Sequence, residues 1–431
     1  MLKSNMNKYF IRFLTYSVFV TSILIMIFTR SFMGLKILGF RFGELMVAFG
    51  LVLIIFFVFY NTFINRDYFN FFPNNYLLLL LAFFITTLLI NSGSFFEMYT
   101  YKSSSFLWMI GYVFIGAVYY RNIEYNNFQL LVVGLTPIII YIFNSGNYPN
   151  FIMQFFKDYG DKFQFIKGSD VLMAFIFCAF FLKEQFKNEQ YILYYINFVG
   201  ALLLPLFLSL SRASFFSSVL LIVSVNLSNY KIIKTIFKKY IGVLFVTLVI
   251  FALSTIRVAG LPDLNQRSTE PIVVIQESVS EVVERKQVNK YFGLYICEGR
   301  LCSEDNTLDW RLDIWFDLMY DQNDNGKISF GFGFNEIFEI MKDPNKPGRL
   351  GRDGLNENVH NHLFTLFGRM GILGLFSYLL FQFKLIKSFK KDAFIYLLPL
   401  FLVSSFDTTM ESIQFPFLYY FLISYHKTLK S

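Results

Sequence analysis

The chain has 431 residues, of which 55% are hydrophobic, 20% aromatic and only 16% charged, with 38 Lys and Arg against 30 Asp and Glu. Soluble proteins carry about 25% charged residues, so this composition excludes a disordered chain, a disulfide scaffold and an ordinary soluble enzyme. The net charge of +8 would suggest nucleic acid in a soluble protein. In an integral membrane protein it is the placement of the charges that matters, and no nucleic-acid partner is expected.

A spanning helix needs roughly 20 mainly apolar residues, somewhat fewer when aromatic-rich. Twelve stretches qualify, at about 10–29, 42–63, 75–92, 105–120, 128–143, 169–183, 191–210, 214–229, 241–256, 361–383, 393–406 and 414–426. The sixth and eleventh are the weakest, being short. The first is too long for the apolar core of a signal peptide and lacks a small-residue cleavage site, so it is expected to be retained. Lys and Arg in short loops set the orientation. With the N-terminus in the cytoplasm, 17 basic residues fall on cytoplasmic segments and eight on the short outer ones. Arg30, Lys36 and Arg41 run against the rule. The expectation is an all-α integral membrane protein of about twelve transmembrane helices, with both termini cytoplasmic. Residues 1–256 hold spans one to nine, 257–359 form one large outer segment, and 360–431 hold the last three spans and the tail.

The outer segment carries 12 basic and 18 acidic residues, net −6, which leaves +14 for the rest of the chain. It reads as partly helical. Glu270–Phe292 has Ile272, Ile275, Val279, Val282 and Val283 on one side and Glu277, Glu281 and Glu284 on the other. Leu308–Tyr320 reads as a second helix, and the Gly and Pro residues from Gly326 to Gly354 as loop. Cys297 and Cys302, in Cys-Glu-Gly-Arg-Leu-Cys, either close a small disulfide loop or remain two neighbouring thiols. Oxidation is the expected state outside the membrane.

Only three histidines occur. His426 lies in the basic tail. His360 and His362 lie in Asn356-Glu-Asn-Val-His-Asn-His-Leu-Phe, where the outer segment re-enters the membrane. Histidine titrates near neutrality and is the usual proton acceptor for a hydroxyl nucleophile; the plain alternative is a solvated His at a helix start. Ser211-Arg212-Ala213-Ser214 interrupts two apolar stretches on the same outer side. A charge there is costly unless it lines a polar cavity or meets an anion, and guanidinium suits phosphate. The alternative is a side chain snorkelling to lipid headgroups. Asp309, Asp313 and Asp317 make an acidic stripe on a helix, while Arg311 sits about 200° from Asp309, with Leu308 and Trp315. Arg311 should therefore face the membrane body, unless this is simply an amphipathic surface helix.

Asp321-Gln-Asn-Asp-Asn-Gly resembles the start of a calcium loop, but Phe332 stands where the bidentate Glu is required. Gly331-Phe-Gly-Phe lacks the third glycine of a nucleotide fingerprint. Without an Asp-x-Asp pair, a His/Cys cluster or a serine elbow, neither metal nor cofactor nor triad is expected.

Several features coincide in order: Ser211-Arg212-Ala213 between two spans, Trp310-Arg311-Leu312-Asp313-Ile314-Trp315, Gly331-Phe-Gly-Phe, His360-Asn361, then Phe367-Gly-Arg-Met-Gly-Ile-Leu-Gly374 entering the membrane. From about residue 165 onward this resembles the O-antigen ligase and polymerase superfamily of bacterial inner membranes. Arg369 departs from the acidic residue often found there in that family. The resemblance implies a periplasm-facing glycosyltransferase that moves a glycan from undecaprenyl pyrophosphate to an acceptor sugar hydroxyl, without cofactor or metal and with inversion. His360 would be the base, with His362 as a neighbour able to substitute. Arg212 and Arg311 would hold the pyrophosphate, and Asn361 and His362 would join in binding. The acceptor would be lipid A-core or a growing glycan, with membrane lipids as surroundings. A single long outer segment favours ligase-type transfer over repeat-unit polymerisation. A flippase or transporter is the reading from another class; it would call for charge near the midplane or an internal repeat.

Overall fold

The computed structural model describes residues 2–60, 63, 72–121, 125–145, 148–160, 163–186, 188–259, 293–297, 299–346, 349–350, 357–389 and 391–428. The expected helix at Glu270–Phe292 lies outside them. The described residues are 76% helical. Its helices run α1 (Leu2–Met33), α2 (Phe42–Phe59), α3 (Asn74–Ile90), α4 (Met98–Ser103), α5 (Ser105–Trp108), α6 (Tyr112–Arg121), α7 (Asn127–Asn144), α8 (Asn150–Tyr159) and α9 (Gly168–Gln185). They continue with α10 (Glu189–Leu210), α11 (Arg212–Ser228), α12 (Tyr230–Thr235), α13 (Phe237–Ala259), α14 (Asn306–Asp324), α15 (His362–Ile386), α16 (Leu398–Ser404) and α17 (Gln414–Thr428). Two small antiparallel hairpins, β1–β2 (Lys36–Ile37, Phe40–Arg41) and β3–β4 (Leu294–Cys297, Arg300–Ser303), were not foreseen.

In their described residues, all twelve apolar stretches fall on helical segments. Among the described residues six helices are long and apolar enough to cross a membrane: the Tyr16–Met33 part of α1, then α2, α7, α10, α13 and α15. Their outward faces are greasy. Phe49, Val52, Ile55 and Phe56 on α2, and Leu244, Phe245, Leu248 and Leu253 on α13, are all exposed. In water such faces would mark an aggregation surface; against lipid they are the expected solvent contact. The weakest stretch turns out to be central. Every residue of α9 from Gly168 to Leu182 is buried, enclosed by α7, α10, α11, α16 and α17. Its low hydropathy comes from charges confined to its ends, Asp170 in the first turn and Lys183 in the last.

Two helices are broken where the sequence suggested none. In α1 the backbone leaves the helical region at Thr29 (φ 43°), one residue before Arg30. In α15 the break is at Gly371 (φ 65°). A Cβ at Gly371 would lie 2.3 Å from the Ser329 backbone, and one at Gly331 2.5 Å from that of Arg369, so each position needs glycine. A broken helix exposes backbone groups that must find partners away from water. Here residues 322–333 supply them. Phe332 and Gly333 donate to the carbonyls of Gly368 and Arg369 at 2.8 and 3.0 Å, and Ile372 donates to Ile328 O at 2.8 Å. Gln322 Nε2 donates to Phe367 O at 2.8 Å.

The polar segment is thereby built into the bundle. Phe334 is fully buried in the main core against Phe84, and a small core of Ile314, Trp315, Leu318, Phe338, Met341 and Val359 lies beneath α14. Trp315 stacks on Phe364 of α15 at 4.9 Å and donates to Val359 O at 2.7 Å. Arg369, 2% exposed, clamps the arrangement. It donates to the carbonyls of Gly333 and Glu336 and to the Tyr99 hydroxyl, and lies 4.1 Å over the Phe338 ring. Its departure from the family pattern is thus a structural device. The calcium-loop resemblance dissolves as well. Asp321 and Asn323 are the last turn of α14, and Asn325 bonds back to Asp321.

Candidate functional site

Arg212, Arg311, His360, Asn361 and His362 lie where α11, α14, α15 and the α16–α17 connection meet. Arg212 is the first residue of α11, after the N-cap Ser211. Its guanidinium pairs with Asp305, which is itself the N-cap of α14 and accepts from Leu308 N at 2.8 Å. That pair ties the membrane helix to the polar segment. Arg311, in the second turn of α14, does turn away from the acidic stripe. Its Nη1 donates to Phe406 O at 2.6 Å, in the connection between α16 and α17. Its Nε is buried without a partner. Burial lowers the Arg311 pKa, while Asp407 and Asp305 oppose the shift; guanidinium stays charged all the same.

His360 occupies the turn into α15 with φ 54°, a left-handed conformation uncommon outside glycine. Its ring lies 5.0 Å from that of Trp310, the neighbour of Arg311. Burial pushes its pKa down to about 4, and the charges of Arg311 and Lys167 push the same way. The imidazole is therefore neutral at physiological pH, the state in which it can accept a proton.

Asn361 is the N-cap of α15. Its Oδ1 accepts from Leu363 N and Phe364 N at 2.9 and 3.2 Å, and its Nδ2 donates to Ser405 O at 2.8 Å. All three contacts are internal, so Asn361 fixes the backbone that presents His360. His362, 2% exposed, points inward, with Nδ1 2.9 Å from Glu411 Oε1 and its ring against Phe106 and Tyr378. The two histidines thus diverge: His360 lies on the Arg311 side and His362 inside the bundle. Cys297 and Cys302 are joined in a disulfide across the β3–β4 hairpin.

Sequence reasoning missed four charges that complete the cluster. Lys167, at the N-cap of α9, pairs with Asp407 at 3.2 Å, and Ser169 donates to the other oxygen of Asp407 at 2.7 Å. Arg30, just past the break in α1, donates to Ser412 at 3.1 Å. Glu411 takes His362. Burial would raise the Asp407 carboxyl, but Lys167, Ser169 and Arg30 together hold it down at about 2. The signals were present. Arg30 and Lys167 were basic residues on the side that should have few, and Asp407-Thr-Thr-Met-Glu411 interrupts two apolar stretches just as Arg212 does. Among the described residues no three His, Cys, Asp or Glu side chains gather in a way that would hold a metal ion.

Residues 196–379 match the family model described as O-antigen ligase. Over this segment, less than half of its length, the chain is similar to the O-antigen ligase superfamily. No curated protein matches the chain. The ligase-family segment contains Arg212, Arg311, His360, Asn361 and His362, and lies N-terminal to Asp407 and Glu411. The similarity, together with the membrane-length helices, suggests a membrane protein with a ligase-like or polymerase-like glycan-transfer function.

Proposed function

We propose that this protein is a periplasm-facing transferase that moves a glycan from undecaprenyl pyrophosphate to an acceptor sugar hydroxyl. The observation that carries this reading is the convergence of Arg212, Arg311 and His360 from three separate elements, with His360 held neutral beside the Arg311 cation. In this account all twelve apolar helices cross the membrane, the termini are cytoplasmic and residues 257–359 form the periplasmic segment between the ninth and tenth spans.

The chemistry follows from those groups. The acceptor hydroxyl lies against His360, which takes its proton as the new glycosidic bond forms. The bond from the anomeric carbon to the pyrophosphate oxygen breaks, and the electron pair leaves with the lipid pyrophosphate. Direct displacement inverts the anomeric centre. Negative charge grows on the leaving oxygens, and cations fixed in a water-poor site stabilise it strongly. Arg311 has donors to spare. Arg212 has to exchange Asp305 for phosphate, which would link donor binding to movement of α14. When the anionic donor sits beside His360, the imidazole pKa rises from its resting value toward the range useful for a base. The two arginines supply the positive charge that a metal provides in other transferases.

Ligase-type transfer to a lipid A-core acceptor is the preferred form. Repeat-unit polymerisation uses the same site and differs only in the acceptor. The test is transfer by purified protein in lipid nanodiscs, with lipid-linked glycan, with and without a chelator. Supplying either a core acceptor or single repeat units separates the two forms. Turnover that survives chelation supports the metal-free account; absence of any transfer, or its loss on chelation, contradicts it.

A further inference from the structure

The short helix α8 has no part in the site described above, yet its exposed surface is aromatic. Phe151, Phe155 and Tyr159 follow one another at i, i+4 and i+8, and are 75%, 48% and 62% exposed. At ten residues α8 would be about 15 Å long, half the roughly 30 Å hydrocarbon core, so it does not cross the membrane. Its opposite side is anchored. Phe156 is buried against Phe28 of α1 at 5.1 Å, and Ser31 exchanges hydrogen bonds of 3.0 and 2.8 Å with the Gln164 backbone. The helix is thus held beside the broken end of α1, close to Arg30. A helix of this kind, apolar on its free face with Lys157 and Asp158 alongside, suits a position in the plane of the membrane surface.

The aromatic packing does not stop at α8. Ring centroids are spaced 5.1 Å from Tyr159 to Phe155, 5.4 Å to Phe156, 6.2 Å to Phe163 and 5.3 Å to Phe165. Phe165 is 67% exposed and lies two residues before Lys167, which pairs with Asp407 and acts on His360. The exposed stripe of α8 is thus linked, through buried Phe156 and half-buried Phe163, to exposed Phe165 next to the cationic cluster. Its complement is an amphiphile with an anionic head and a long hydrocarbon tail.

We propose that the α8 seam seats the polyisoprenoid tail of the lipid-linked donor, so that the tail lies along the Phe151–Phe155–Tyr159 stripe while its pyrophosphate reaches the cluster at Lys167, Arg311 and His360. This rests on the transfer reading and adds to it the element that recognises the lipid. The seam contributes ground-state affinity and stays remote from the reacting atoms, so it should act on KM and leave kcat alone.

The test compares two donors carrying the same glycan pyrophosphate, one on undecaprenyl and one on a two-isoprene-unit chain, with protein in nanodiscs. For a Phe151→Ala, Phe155→Ala, Tyr159→Ala triple variant, KM for the long-tailed donor should rise by about ten-fold, equivalent to about 1.4 kcal/mol of binding. KM for the short-tailed donor and kcat for both should match wild type, which also shows that the variant is folded. A triple leucine variant keeps the apolar area and should restore long-tail KM; failure of leucine to rescue would point to sugar rings stacking on the aromatics and overturn the proposal. Equal changes with both donors, or none, would overturn it as well. If the wild-type protein transfers from neither donor, it is the transfer reading that falls.

Discussion

Helix α14 carries two charged faces that have been treated in opposite ways. On one, each carboxylate of the acidic stripe is met by cations: Asp309 by Arg300 at 3.0 Å, Asp313 by Lys346 at 2.9 Å and Arg349 at 2.5 Å, and Asp317 by Lys346 at 2.8 Å and Arg349 at 2.5 Å. Arg349 is 1% exposed and also donates to Ile340 O at 2.8 Å. That face holds the polar segment together. On the other, Arg311 donates to a single backbone carbonyl, Phe406 O, and beside it His360 is kept from protonating. A fold optimised only for stability would neutralise both faces. On the proposed function, the difference separates structural charge from charge kept in reserve for a substrate, within a single helix.

Substitutions on the two faces should therefore fail in different ways. The largest effect is expected from Arg311→Ala and His360→Ala, which should each lower kcat/KM by about a hundred- to ten-thousand-fold while leaving thermal unfolding close to wild type. Arg311→Lys should recover only part of this, because a point charge does not replace the planar fork. Next comes Arg349→Met, which leaves Asp313 and Asp317 short of a partner. The cost should be about 3 kcal/mol, toward the low end for a buried pair because both carboxylates keep some contact with water. Turnover of the folded fraction should not change, as denaturant unfolding set beside activity would show.

The pH dependence sharpens the contrast. His360 titrates at about 4 in the fold against about 6.5 unfolded. The folded chain binds fewer protons across that window, so stability declines as pH falls through it. The neutral base also persists to low pH, so kcat/KM for the free enzyme should hold from neutrality down and fall only near 4. Lys167→Gln removes one of the cations that depress His360 and should shift this acid limb upward in pH. An unmoved limb would place His360 outside the chemistry. The smallest effect is expected at the hairpin, where Cys297→Ser with Cys302→Ser should cost about 2 kcal/mol of segment stability and leave transfer unchanged.

Much of this was legible in the sequence, because a membrane protein must justify every charge. Arg212 and Arg311 stood out against apolar or acidic surroundings, and helical geometry alone turned Arg311 away from Asp309. The breaks at Thr29 and Gly371 were not legible. They depend on partners far along the chain: Ser329 and Phe332 take up the backbone groups freed at Gly371, and Gln164 bonds Ser31 beside Thr29. The acidic half of the cluster was missed for a different reason: Asp407 and Glu411 sit in a short connection that hydropathy treats as a gap between spans. Arg369 shows the limit of reading by family pattern, since a position compared for its acid/base chemistry turns out to be a clamp on Gly333, Glu336 and Tyr99.

The most direct test is transfer from lipid-linked glycan by Arg311→Ala and Arg349→Met side by side, each normalised to folded protein. The account predicts a stable but inactive Arg311→Ala and a destabilised but active Arg349→Met. A folded Arg311→Ala that turns over like wild type would contradict it.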